Sequence, residues 1–163
     1  MSALNLISQE GESVKISHEN AIISELVKTM IDEEKDEEEV QEIPLPVVKT
    51  AILVKVVEFM NHYNAEPMKE ITKPIKSNNM SEVVQEWYAN FVNVDQELLF
   101  ELILAANFMD IHPLLDLTCA KVASMVKGKE SYEIRSIFNI DESDCIAVDE
   151  TQVRAENRWC EDA

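Results

Sequence analysis

The sequence predicts an α/β fold, a small set of β-strands among helices, on three patterns. Leu4, Leu6 and Ile7, then Val14 and Ile16, flank the polar turn Ser8-Gln9-Glu10-Gly11-Glu12, two apolar runs around a Gly-containing turn that read as a β-hairpin. Ile43-Pro44-Leu45-Pro46 is expected to be extended, a short third strand, because each proline biases the residue before it away from the helical region. Val94 to Lys129 reads as two long helices joined by a short turn, and the rest of the chain is organised around it.

After the hairpin the apolar spacing lengthens. Ser17 or His18 is placed to cap a short helix through Ile23, and Ser24 to start another carrying Leu26, Val27, Met30 and Ile31. Residues 32–42 are an acidic run in which Lys35 is the single base. Like charges this dense repel, so a disordered surface loop is expected rather than a specific site for a basic partner. Val47, Val48, Ile52, Val56, Val57, Phe59 and Met60 then recur at mainly helical spacing, with Tyr63 near the end, a core helix of about four turns. Residues 64–80 hold two prolines, several lysines and Ser77-Asn78-Asn79, and read as a long mobile loop. Ser81 is placed to cap one short helix on which Val83, Trp87 and Phe91 recur every fourth residue.

In the central stretch, Leu98, Leu99, Leu102, Ile103 and Ala106 form an amphipathic stripe, with Asp95 placed as cap and Glu97 in the first turn. Phe100, Leu104 and Phe108 lie off that stripe, so the helix is apolar around much of its circumference and predicts burial on more than one side, beyond what one chain need cover. Pro113 suits the first position of the second helix, which runs through Leu114, Leu115, Thr118, Cys119, Val122, Ala123 and Val126 to Gly128. Lys127 and Lys129 sit near the negative end of its dipole. With Asp110 to His112 as the connection, the two helices are neighbours in space.

Beyond Gly128, Ser131 or Glu130 caps a short helix with Ile134, Ile137 and Phe138 on one face. Asn139 to Val148 is polar and expected to be extended, and a last helix from Asp149 bears Val153 and Trp159 among charges. Such a tail has too few apolar groups for a core of its own, and its aromatic anchors make sense as part of a binding surface.

The chain's 163 residues fit one domain with an appendage. A net charge of −18, from 14 basic and 32 acidic residues, argues against binding a nucleic-acid backbone. No stretch approaches the roughly 20 apolar residues of a membrane helix. Cys119, Cys145 and Cys160 have neither metal spacing nor an adjacent histidine, and no signal-like run opens the chain, so reduced intracellular thiols in structural roles are expected. With two glycines there is no material for a phosphate-cradling loop, and His18, His62 and His112 stand far apart, so neither an enzyme, a cofactor nor a bound metal is expected.

The runs LFELILAANFMDIHPLLDLTC, EIRSIFNI and QVRAENRWCED, with IPLP before AILVKVVEF and VNVDQ before the central hairpin, resemble the Skp adaptor family of SCF-type (Skp–cullin–F-box) cullin–RING ubiquitin ligases over essentially the whole chain. The resemblance implies a BTB/POZ-type α/β domain over residues 1–128, with a three-stranded sheet and helices on its side, followed by two carboxy-terminal helices over 129–163. It implies a non-catalytic adaptor, cytoplasmic and nuclear, whose partners are a cullin and interchangeable F-box receptors; pairing of free copies as a homodimer, through surfaces that a receptor would cover, stays open.

By that resemblance Asn107 and Phe108 correspond to cullin-contacting positions. Leu99, Ile103, Leu115, Cys119, Val122, Ile134, Ile137, Phe138 and Trp159 correspond to F-box-facing ones. Pro113 matches a proline that protist members hydroxylate and glycosylate. On periodicity alone, the leucine stripe reads equally as core, Asn107 as a helix cap, Phe108 as a core residue and Pro113 as an unmodified helix start. Two other classes stay open: another BTB interaction protein, either an elongin-type adaptor or a homodimeric scaffold, and an acidic chaperone shielding a basic protein. The tail after Ser131 separates the first from elongin-type adaptors, which end near the central hairpin. A salt titration separates the chaperone, whose binding alone would fall steeply.

Overall fold

The structure is a computed structural model and describes residues 3–31, 40–141 and 150–158. It divides into two compact units, Met1–Lys127 and Gly128–Ala163.

The first unit carries a sheet of order β2-β1-β3. Strand β1 (Ala3–Ile7) pairs antiparallel with β2 (Ser13–Ser17), Leu4 opposite Ile16 and Leu6 opposite Val14, and parallel with β3 (Gln41–Pro44), Leu6 opposite Ile43. Strand alternation sends Leu4, Leu6, Ile16 and Ile43 to one face, where all four are buried. Gly11, at φ +81°, turns the hairpin in a conformation that side chains resist. Because Gln41 and Glu42 belong to β3, the expected loop over 32–42 ends earlier, and residues 32–39 lie outside the described residues.

Helices α1 (His18–Ala21) and α2 (Glu25–Met30) follow. Ser24 caps α2 by accepting from the Val27 amide at 3.1 Å, and its own hydroxyl donates to the Met109 carbonyl. Helix α3 (Thr50–Ala65) begins three residues later than the apolar spacing suggested, leaving Val47 and Val48 in the preceding loop. It buries Ile52, Leu53, Val56, Val57, Phe59 and Met60. Phe59 lies 5.7 to 5.8 Å, ring to ring, from Tyr63, Tyr88 and Phe91, the separation at which aromatic pairs attract.

The stretch 64–80 differs from the long loop expected. Asn64 and Ala65 complete α3, and Met80 starts α4 (Met80–Val83), for which Asn79 rather than Ser81 is the cap. Between them Ile71 is buried, and the Gln85 side chain accepts from the Lys69 amide and donates to the Pro67 carbonyl, both at 3.0 Å. The buried Tyr88 hydroxyl donates to the Glu66 carbonyl at 2.5 Å. The single helix expected from Val83 to Phe91 is two, because Val84 and Gln85 are extended and α5 spans Glu86–Phe91.

Helix α6 (Gln96–Phe108) begins at Asp95, whose side chain makes no cap bond, and buries Leu99, Leu102, Ala105 and Ala106. Asp110, at φ +52°, turns the chain, and the Ile111 amide reaches back to the Ala106 carbonyl at 2.9 Å. Helix α7 (His112–Val126) takes His112 as its first residue and Pro113 as its second, one place later than expected but still where no amide partner is needed. It packs against α6 and ends before Gly128 at φ +73°.

The second unit contains α8 (Ser131–Ile137) and α9 (Glu150–Glu156). Helix α8 starts with a reciprocal cap in which the Glu133 carboxylate accepts from the Glu130 amide at 2.9 Å while Glu130 receives an amide in return. No residue of α8 is buried. Trp159, Cys145, Cys160 and most of the stretch expected to be extended lie outside the described residues.

Candidate functional site

The apolar side chains that fall off the inward stripe of α6 emerge on the surface of the first unit. Phe100, Leu104 and Phe108 recur every fourth residue, and Leu104 is 68% exposed and Phe108 37%. The last of these reaches a groove of about 440 Å³ between the β3–α3 loop and the end of α6. Val47, Val48, Lys49 and Ile52 line it from one element, and Glu101, Leu104, Ala105, Asn107 and Phe108 from the other. Lys49 and Glu101 join in an ion pair, and that contact holds the Lys49 ammonium above its usual range.

Both expected cullin-contacting residues, Asn107 and Phe108, are therefore exposed at one groove. Asn107 is not the cap of α6, because Asp110 takes the left-handed position, and Phe108 is not core. Sequence reasoning missed Val47, which is 60% exposed, and Leu104 as lining residues. The signal for Leu104 was its place off the buried stripe. For Val47 there was none, since its spacing joined it to the following helix.

The expected F-box-facing residues separate by unit. On α7, Leu115, Cys119 and Val122 share one face; Cys119 is exposed and the other two half-buried. Ile103 on α6 is also half-buried. Leu99 departs from the expectation: it is 1% exposed, because it shares its stripe with the buried Leu102 and Ala106, although it stands apart from the main core cluster. In the second unit Ile134, Ile137 and Phe138 are half-buried, and Tyr132, not singled out from sequence, is more exposed than any of them. Pro113 is half-buried.

Near α7, Lys73 Nζ lies 2.7 Å from Asp116 Oδ1, a surface ion pair that ties the 66–79 segment to this helix and holds the lysine above its usual range. Among the described residues, no three His, Cys, Asp or Glu side chains gather where they could hold a metal ion, and no helix is long and apolar enough to cross a membrane. The arrangement offers exposed and half-buried apolar surface edged by charge, which is the material of protein recognition.

Comparison with known proteins identifies the family. Residues 2–65 match the model of the Skp1 family, tetramerisation domain, a POZ-type domain, and residues 112–160 match that of the Skp1 family, dimerisation domain. The chain is 42% identical over 161 residues to the S-phase kinase-associated protein 1 homolog of Tetrahymena thermophila, covering 98% of this chain and 95% of that one. It is 41% identical over 162 residues to the SCF ubiquitin ligase complex protein SKP1a of Dictyostelium discoideum, covering 99% and 98%. It is 40% identical over 161 residues to the E3 ubiquitin ligase complex SCF subunit sconC of Arthroderma otae, covering 99% and 96%. Identity at this level along the whole length, with the three-stranded sheet and the helices that surround it, makes the chain a member of the Skp1 family.

Proposed function

We propose that this protein is the adaptor subunit of an SCF-type cullin–RING ubiquitin ligase, linking a cullin to interchangeable F-box substrate receptors for ubiquitin-dependent degradation. The observation that carries the reading is the near full-length similarity to proteins named as SCF ubiquitin ligase complex subunits in Arthroderma otae and Dictyostelium discoideum. The adaptor performs no chemistry; it fixes the distance and orientation between receptor and ligase. The groove with Asn107 and Phe108 is the cullin-docking surface, supported by its exposed apolar lining. In the first unit the α7 face with Leu115, Cys119 and Val122 is receptor-binding, and in the second unit the apolar residues of α8 are receptor-binding. When no receptor is present, the same receptor-binding residues pair two copies of the chain.

Reconstitution tests this reading. The purified chain, the amino-terminal repeats of a cullin and an F-box receptor from the same organism are expected to co-elute as a ternary complex, and the cullin and receptor are expected not to associate without the chain. Binary association of cullin and receptor, or failure of the chain to bind either, would reject it. Hydroxylation and glycosylation of Pro113, suggested by the likeness to protist members, predicts an intact mass above that of the bare polypeptide in protein from the native source; the bare mass alone rejects it.

A further inference from the structure

We propose that Glu10, in the turn between β1 and β2, is a positioning residue for the cullin-docking groove and acts through Thr50 at the start of α3. The inference rests on the reading of that groove given above. A helix leaves its first amides without internal partners, and a side-chain oxygen at the capping position normally accepts one of them. In α3 that position is Lys49, which makes no cap bond.

The acceptor comes from 40 residues earlier in the chain. Glu10 Oε2 accepts from the Thr50 amide at 2.7 Å and from the Thr50 hydroxyl at 2.8 Å. Ser8 Oγ lies 2.7 Å from Thr50 Oγ1 and accepts from the Glu12 amide at 3.1 Å. The Thr50 proton is committed to the carboxylate, so the Ser8 hydroxyl must donate to Thr50, and the bonds run in one direction from the Glu12 amide to the Glu10 carboxylate. A carboxylate at the positive end of α3 is also favoured by the helix dipole. The two Thr50 bonds hold the Glu10 carboxyl below the usual carboxylate range.

The consequence for the groove lies in which residues are pinned. The Gln9 amide donates to the Val48 carbonyl at 2.8 Å, and the Leu45 amide to the Ile7 carbonyl at 2.7 Å. Leu45, Val48 and Thr50 are thus fastened to the hairpin, and the residues between the anchors, Val47 and Lys49, turn to line the groove. The Glu10 bonds close the last of these anchors, next to the lysine that pairs with Glu101.

The test uses the full chain with Glu10→Ala, Glu10→Gln and Phe108→Lys, each checked for folding by circular dichroism. Hydrogen exchange at the Thr50 amide needs no partner. It is expected to speed by about fivefold to tenfold in Glu10→Ala, the factor typical of a lost cap, and by less in Glu10→Gln, which keeps one acceptor oxygen. Dissociation from the cullin's amino-terminal repeats is expected to quicken by a similar factor in Glu10→Ala and less in Glu10→Gln, with affinity for an F-box receptor within twofold of the parent. Unchanged exchange at Thr50, unchanged cullin dissociation, or parallel weakening of cullin and receptor binding overturns the positioning role. Undiminished cullin binding by Phe108→Lys instead overturns the assignment of the groove, and the inference with it.

Discussion

Helix α6 buries Leu99, Leu102, Ala105 and Ala106 while displaying Phe100, Leu104 and Phe108, whereas α8 carries Ile134 and Ile137, with Phe138 at its carboxy-terminal cap, and buries none of its own residues. Both present apolar side chains at helical spacing, but their support differs. Helix α6 packs against α3 and α7, so its outward stripe stands on a scaffold that exists before any partner arrives. Helix α8 is seven residues long and is held by a reciprocal cap and an exposed Lys129–Glu133 pair at 3.4 Å. Isolated helices below roughly 12 to 15 residues are marginal in water, so α8 has more to gain from a covering partner. A preformed surface suits a partner that stays the same, and an adjustable one suits partners that change.

The largest expected effect separates core from tail. Phe59→Ala removes a fully buried ring from an aromatic cluster and should cost about 3 to 5 kcal/mol in denaturant unfolding, whereas Phe138→Ala should cost less than about 1 kcal/mol. Similar losses would mean that α8 is integrated as firmly as α3. Next is the division of partners. Asn107→Lys with Phe108→Lys puts charge where apolar surface should be covered, so cullin affinity should fall by at least about a hundredfold while receptor binding persists. Ending the chain after Gly128 should abolish receptor binding and leave cullin capture intact. Paired pull-downs on variants that remain folded decide it, and equal loss of both partners in each variant would erase the division.

Gly128→Ala should have a smaller effect. The residue sits at φ +73° with nothing within 4 Å of an added methyl, so backbone strain alone is at stake, about 1 to 2 kcal/mol by thermal unfolding. The smallest effect concerns Glu133. Its carboxyl is held below the usual range, first by the Glu130 amide and then by Lys129. A depressed carboxyl stabilises the folded form above its unfolded value, near 4.3, and that contribution is lost as pH falls through the lower folded value. The protection of α8 amides, exchange measured relative to the intrinsic rate at each pH, should therefore fall between about pH 5 and 3 in the parent, and Glu133→Gln should flatten that fall. Coincident profiles would remove the cap from the account of α8.

The elements with strong local periodicity were legible in the sequence: the hairpin flanking Gly11, the helix through Phe59, and the pair of helices meeting at Asp110. What stayed hidden depends on contacts distant in the chain. No local pattern says that β3 lies parallel to β1, that Gln85 fastens the segment before it, or that Glu10 caps a helix 40 residues away. The break at Val84 was hidden for another reason, since Val83, Trp87 and Phe91 keep helical spacing across it. At the candidate site, Asn107 and Phe108 could be named from the resemblance, but the opposite wall at Val47 could not, because its spacing matched the helix that in fact begins at Thr50.

The bond from Ser24 to the Met109 carbonyl has a consequence for the order in which the molecule is made. The two residues are 85 apart, and the backbone amides of Glu25 and Leu26 also reach the carbonyls of Asp110 and Met109, at 3.3 and 3.4 Å. During synthesis the hairpin of β1 and β2 is available early, but a lone hairpin is barely stable. The start of α2 waits for its acceptors until the turn between α6 and α7 has left the ribosome. A nascent chain stopped before Met109 should therefore be cut readily by protease around Ser24, and one extended past the turn should resist.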